Sequence, residues 1–110
     1  MTDKIVVFVT VGNANDAAAL AKNLVEKRLA ACVNLLPGVA SWYWWEGKVT
    51  EDQEVMLMMK TSRDTFAALE REVVRLHSYA VPEVIALQIV EGSRNYLNWI
   101  EQSLKGSDAE

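Results

Sequence analysis

The sequence predicts an α+β domain of the ferredoxin-like type, a β-α-β-β-α-β sandwich carrying one extra C-terminal helix. Three observations predict it. Apolar runs and amphipathic stripes follow one another in the order strand, helix, strand, strand, helix, strand, helix. The second and third strands, within residues 31–61, are long and meet at a tight turn, Glu46-Gly47, where glycine supplies the positive φ of a short hairpin. The chain has 110 residues, 51% of them apolar, which is enough for one core and not for two, so residues 1–110 read as a single domain.

Residues 5–11 are an almost unbroken run of Val, Ile and Phe, as expected of a central strand buried on both faces. Residues 12–16 break the run, and Asn13 or Asn15 can cap the following helix. From Asp16 to about Leu29, Ala17, Leu20, Ala21, Leu24 and Val25 form one stripe, with Lys22, Asn23, Glu26 and Lys27 opposite. Residues 30–36 open the second strand, Pro37-Gly38 interrupts it as at an edge or bulge, and it resumes through Ser41-Trp42-Tyr43-Trp44-Trp45. That run far exceeds a typical strand, so part of it should project past the domain body. After the turn, polar residues 50–54 give way to residues 55–61. Ser62 or Asp64 can cap a second helix, from 65 to about 77, with Phe66, Leu69, Val73 and Leu76 as its stripe. Pro82 disfavours helical geometry at Val81, and residues 83–90 read as a fourth strand. Gly92 ends it, and Ser93 caps a short helix carrying Tyr96, Leu97, Ile100 and Leu104. The polar tail from Lys105 reads as frayed. Right-handed crossovers put the first and third strands in the centre, the second and fourth at the edges, and both main helices on one face.

The hairpin is apolar on both sides. Val39, Tyr43 and Trp45 alternate with Ala40, Trp42 and Trp44; Val55, Leu57 and Met59 alternate with Met56, Met58 and Lys60. A sheet covered on one side only should alternate apolar with polar. With both main helices on one face, the other is left bare, and a large apolar patch marks a contact surface. Further copies of the chain are the expected cover, with Trp42, Trp44, Trp45, Met56 and Met58 at the interface.

A net charge of −4 speaks against nucleic-acid binding by phosphate neutralisation. No stretch approaches the ~20 apolar residues of a membrane span, and the start lacks the basic and apolar regions of a secretory signal. The single cysteine cannot form an internal disulfide, which suits a reducing compartment, and a cytoplasmic location is expected. There is no serine nucleophile elbow, no cysteine near a predicted base and no phosphate-cradling glycine loop, so catalysis is not expected. An acylphosphatase-like enzyme would need an arginine after the first strand, and residues 12–15 contain none. An RNA-recognition sheet would need stacking aromatics on its central strands, which offer only Phe8.

His77, the one histidine, reads either as a metal ligand or proton carrier, or as a packed C-terminal cap. Cys32 reads as a soft-metal ligand or as a small apolar residue. The thioethers of Met56, Met58 and Met59 suit a soft ion such as monovalent copper, or adaptable interface packing. Glu46, Glu51, Asp52 and Glu54 lack calcium-loop spacing and read as solvated charge around the hairpin end. Lys60 and Glu83 each end an apolar run, where a charge needs a partner or water; a cleft position and a mutual ion pair both satisfy that.

Several stretches, running almost end to end, resemble the CutA family of divalent-cation tolerance proteins. They are Ala30-Ala31-Cys32-Val33-Asn34-Leu35-Leu36-Pro37-Gly38, Tyr43-Trp44-Trp45-Glu46-Gly47-Lys48, Lys60-Thr61, His77-Ser78-Tyr79, Val81-Pro82-Glu83 and Tyr96-Leu97-Asn98-Trp99. The resemblance implies a ferredoxin-like protomer in a compact homotrimer, its long hairpins paired across subunits as in PII-like signalling proteins. It also implies a response to metal ions, with copper or another divalent cation bound. The implied copper ligands are a first-strand cysteine and two adjacent histidines; this chain has Val9 and Leu76-His77 there, so His77 alone matches. Clefts between subunits near Lys60, His77, Tyr79 and Glu83 are the expected site. The alternative is PII-like sensing of a small molecule, a nucleotide or other anion, in the same clefts.

Overall fold

A computed structural model describes residues 2–106. Its elements run β1 (Lys4–Val11), α1 (Ala14–Glu26), β2 (Cys32–Trp45), β3 (Lys48–Ser62), α2 (Phe66–Leu76), β4 (Ile85–Gln88) and α3 (Arg94–Lys105). They build one antiparallel sheet in the order β2-β3-β1-β4, so the expected central pair and the expected edges are found.

The core lies between the sheet and the helix pair α1 and α2. Ile5, Val7, Val9 and Val11 of β1 and Val55, Leu57 and Met59 of β3 meet Ala17, Leu20 and Leu24 of α1 and Leu69 and Val73 of α2, all buried. The centres of the helix stripes were legible from spacing, but Val25 and Leu76, expected in them, are exposed, and the helix ends were not legible. Asn13, not Asn15, caps α1, its side chain accepting from the Asp16 N–H at 2.8 Å. The helix stops at Glu26, three residues before the expected end, because Arg28 takes a positive φ and the Leu29 and Ala30 N–H groups turn back onto the Leu24 carbonyl. Neither Ser62 nor Asp64 caps α2. A 3-10 turn, Arg63–Thr65, precedes that helix, and the Ser62 hydroxyl hydrogen-bonds the Thr65 hydroxyl at 2.9 Å instead of a backbone N–H. Ser93 does cap α3, through the Tyr96 N–H. Lys105 closes α3 in an ion pair with Glu101 and Gly106 takes the left-handed cap, so the helix extends to where a frayed tail was expected; residues 107–110 lie outside the described residues.

β4 spans Ile85–Gln88, shorter than the strand the sequence predicts over residues 83–90. It pairs only with Ile5 to Phe8 of β1, and its outer edge leaves Ile85 and Leu87 exposed. The face opposite α1 and α2 is not wholly bare, because α3 covers one end of it. Ile100 is fully buried there, and Glu101 pairs with Lys4 at 2.7 Å.

The hairpin turns through Glu46 (φ 50°) and Gly47 (φ 77°), the two successive positive values of a two-residue type I′ turn. At the root of β2, Leu36 faces Met56 but Val39 faces Glu54: three steps on one strand match two on the other. Pro37-Gly38 therefore forms a bulge, with Gly38 at φ 74°. The extra residue shifts the parity of β2. Beyond it, Val39, Ser41, Tyr43 and Trp45 share a face with Glu54, Met56 and Met58, while Ala40, Trp42 and Trp44 share the helix-side face with Val55 and Leu57. The hairpin outruns the helices, and the molecule measures 48 × 26 × 24 Å. Trp42 and Trp44 are accordingly 67% and 74% exposed in the single copy, with Trp45 at 45%; Met56 and Met58 are half-buried.

Candidate functional site

A cleft of about 490 Å³ lies on the α3 side of the sheet, where the hairpin leaves the body. Thr10 of β1, Glu54 of β3, Tyr43, Trp44 and Trp45 of β2, and residues 79–81 and Glu83 of the α2–β4 connection line it. Strand parity explains all of the strand lining except Trp44. Thr10 and Glu54 point to this side, and the bulge brings Tyr43 and Trp45 round to join them.

The α2–β4 connection is tied across the end of β1 by His77. Its Nδ1 accepts from the Tyr79 N–H at 3.0 Å, so Nε2 carries the proton and donates to the Thr10 carbonyl at 2.7 Å. The Tyr79 ring then passes over Gly12, where a Cβ would come within 3.3 Å of the phenolic oxygen. A methyl group there would require the tyrosine to give by a few tenths of an ångström. The Tyr79 hydroxyl donates to Glu54 Oε2 at 2.9 Å. Burial, and then the Glu54 carboxylate, hold the Tyr79 phenol well above the usual tyrosine range, so it stays a donor. Glu54 is only 7% exposed. The Glu83 carboxyl is pushed up by burial, with the Glu54 charge adding to it. On the opposite wall, Tyr43 donates to Asp52, which raises its own pKa.

Of the residues expected near a cleft, Tyr79 and Glu83 line it, and His77 braces it from behind. Within one copy, Lys60 lies apart from them. It sits at the far end of β3 opposite Cys32, hydrogen-bonded to Asn34, and makes no ion pair with Glu83. Glu54 was expected as solvated charge and is instead buried against Tyr79. The local pattern of polar residues 50–54 gave no sign of this, because the covering tyrosine comes 25 residues later.

These residues do not assemble the cysteine–histidine copper site. Cys32 faces Lys60, whereas His77 holds Thr10, which faces Met56; the two sites are four strand residues apart, roughly 13 Å. Both His77 ring nitrogens are engaged, and Val9 is fully buried toward the helices. Cys32 is half-buried with its sulfur 3.8 Å from Asn34 Oδ1. Among the described residues no three His, Cys, Asp or Glu side chains converge as metal ligands would.

A family model described as CutA1 divalent ion tolerance protein matches residues 5–103. The divalent-cation tolerance protein CutA of Thermus thermophilus is 50% identical over 98 residues, covering 89% of this chain and 95% of that protein. The chloroplastic protein CutA 1 of Oryza sativa is 48% identical over 103 residues, 94% of this chain but 58% of the rice protein. The crystal structure of CutA from Xylella fastidiosa superposes with a TM-score of 0.91 at 38% identity, covering 94% of this chain and 99% of that one.

Proposed function

The chain belongs to the CutA1 divalent ion tolerance family, and from that premise we propose that it acts in divalent-cation tolerance as a homotrimeric binding or scaffold module, not as an enzyme. The observation that carries this reading is the cleft itself, where two carboxylates, Glu54 and Glu83, converge with no basic residue in the lining. A site of that charge attracts cations. Its donors are oxygens, which suit divalent ions harder than monovalent copper, with water completing the shell. The exposed Trp42 and Trp44 and the half-exposed Trp45 support assembly, since an apolar patch of that size seeks cover. We assign the chain to the cytoplasm on its single cysteine; among the described residues no helix is long and apolar enough to cross a membrane.

Calorimetric titration with divalent copper, manganese and magnesium tests the site. Saturable binding that is lost in Glu83→Gln is expected. No heat with any ion, or binding indifferent to both Glu54→Gln and Glu83→Gln, would overturn the assignment of the cleft.

The volume of the cleft favours a second reading, PII-like sensing of a small molecule, because 490 Å³ falls within the range of small-ligand pockets. Its carboxylates favour a cationic ligand over the nucleotide or other anion that the architecture alone would invite.

A further inference from the structure

We infer that the cleft takes a small organic ammonium ion, held by the Glu54 and Glu83 carboxylates and by the faces of Tyr43, Trp45 and Tyr79. The inference rests on the reading of this cleft as a ligand site and names the chemical class of the ligand. Three features of the structure carry it.

The first is an unanswered charge. Glu54 is more than nine-tenths buried, its Oε2 satisfied by the neutral Tyr79 hydroxyl, while among the described residues no lysine or arginine lies within ion-pairing distance of Glu54 or Glu83. A buried carboxylate without a counter-charge is costly, and a bound cation would relieve that cost. The second is the wall. Four aromatic side chains line one cleft, and an aromatic face within about 6 Å of an alkylated ammonium attracts it through the ring quadrupole. A bare metal ion gains little from such walls, whereas a cation that carries alkyl groups packs against them. The third is room: 490 Å³ far exceeds the space of a single ion and accommodates an organic cation with its alkyl groups.

The test uses the full chain, titrated with choline and, in parallel, with 3,3-dimethylbutan-1-ol, its uncharged isostere of the same shape. Intrinsic tryptophan emission and calorimetry report binding. Choline should saturate at one site per chain and bind at least about tenfold tighter than the isostere, the difference being the charge and ring terms. Glu83→Gln should weaken choline several-fold without lowering Tm, and Trp45→Leu should weaken it several-fold as well. Equal binding of choline and the alcohol would overturn the inference, as would choline binding unchanged in both variants. If choline fails to saturate while manganese or magnesium binds and requires Glu83, the ammonium inference falls and the cleft remains an ion site. If neither choline nor any metal ion binds, both readings fall together.

Discussion

The bond between Tyr79 and Glu54 fastens the α2–β4 connection to β3, and deleting one atom tests it. Tyr79→Phe deletes the hydroxyl that donates to Glu54 Oε2 at 2.9 Å and leaves the ring in place over Gly12, so little packing is lost. Glu54 is 7% exposed, so water replaces the missing donor poorly. A hydrogen bond to a charged group contributes about 1.5–3 kcal/mol, and an abandoned buried acceptor adds its desolvation, so a loss of about 2 kcal/mol is expected. In a Glu54→Gln background the same substitution removes a bond between neutral groups and should cost about 1 kcal/mol or less, giving a coupling energy of about 1 kcal/mol. Urea titrations of the four proteins, all at one chain concentration because an assembled protein's stability depends on it, supply the numbers. A loss below about 0.5 kcal/mol in the wild-type background, or equal losses in both backgrounds, would show that the bond does not hold the cleft together.

Two further outcomes concern acid stability and assembly. The Glu101 carboxyl is held down to about 2, first by Lys105 and then by Lys4, so its contribution to stability is complete above the ordinary value of 4.5 and is lost as the pH falls toward 2. Tm should drop across that window, and Glu101→Gln should start lower and fall less; parallel curves for the two proteins would contradict the pairing. Trp44 is 74% exposed in a single copy. If three copies cover it, Trp44→Ala should cost about 3 kcal/mol and lower the sedimenting mass from three chains toward one; a wild-type protein that sediments as one chain, or a variant that loses less than about 1 kcal/mol with its mass unchanged, would refute the homotrimer interface.

What the sequence disclosed follows the range of each interaction. β1 was legible because burial on both faces writes an unbroken apolar run. The buried residues of α1 and α2 were legible because each helix buries one stripe, and the Glu46-Gly47 turn because its backbone demands glycine. The caps of α2 were misread since Ser62 had a choice of partners, and it took the Thr65 hydroxyl. The length of β4 was overestimated because an edge strand ends where its neighbour stops pairing, and no local residue records that. At the site, Glu83 was visible as a charge at the end of an apolar run, and Tyr79 only through the family resemblance. Glu54 was not, because alternation cannot distinguish a carboxylate in water from one roofed by a tyrosine from another element. Lys60 shares the local signature of Glu83, but within one copy the register places it at the other end of β3, opposite Cys32.

The bulge at Pro37-Gly38 decides what the aromatic run can do. Had β2 continued in register, alternation would have turned Ala40, Trp42 and Trp44 toward Glu54 and left Tyr43 and Trp45 on the helix side. One extra residue reverses this. Tyr43 and Trp45 join Glu54 and Thr10 on the cleft side, and Trp42 stands on the opposite face with Val49 near the tip, exposed and free for contact with another copy. Trp44 lines the cleft too, although its register pairs it with Val49 on the other face. A single backbone device therefore assigns neighbouring tryptophans to two separate tasks. Removing Glu54 or Glu83 should impair the cleft and spare assembly, whereas deleting Gly38 should disturb both at once, because it changes which rings face which side.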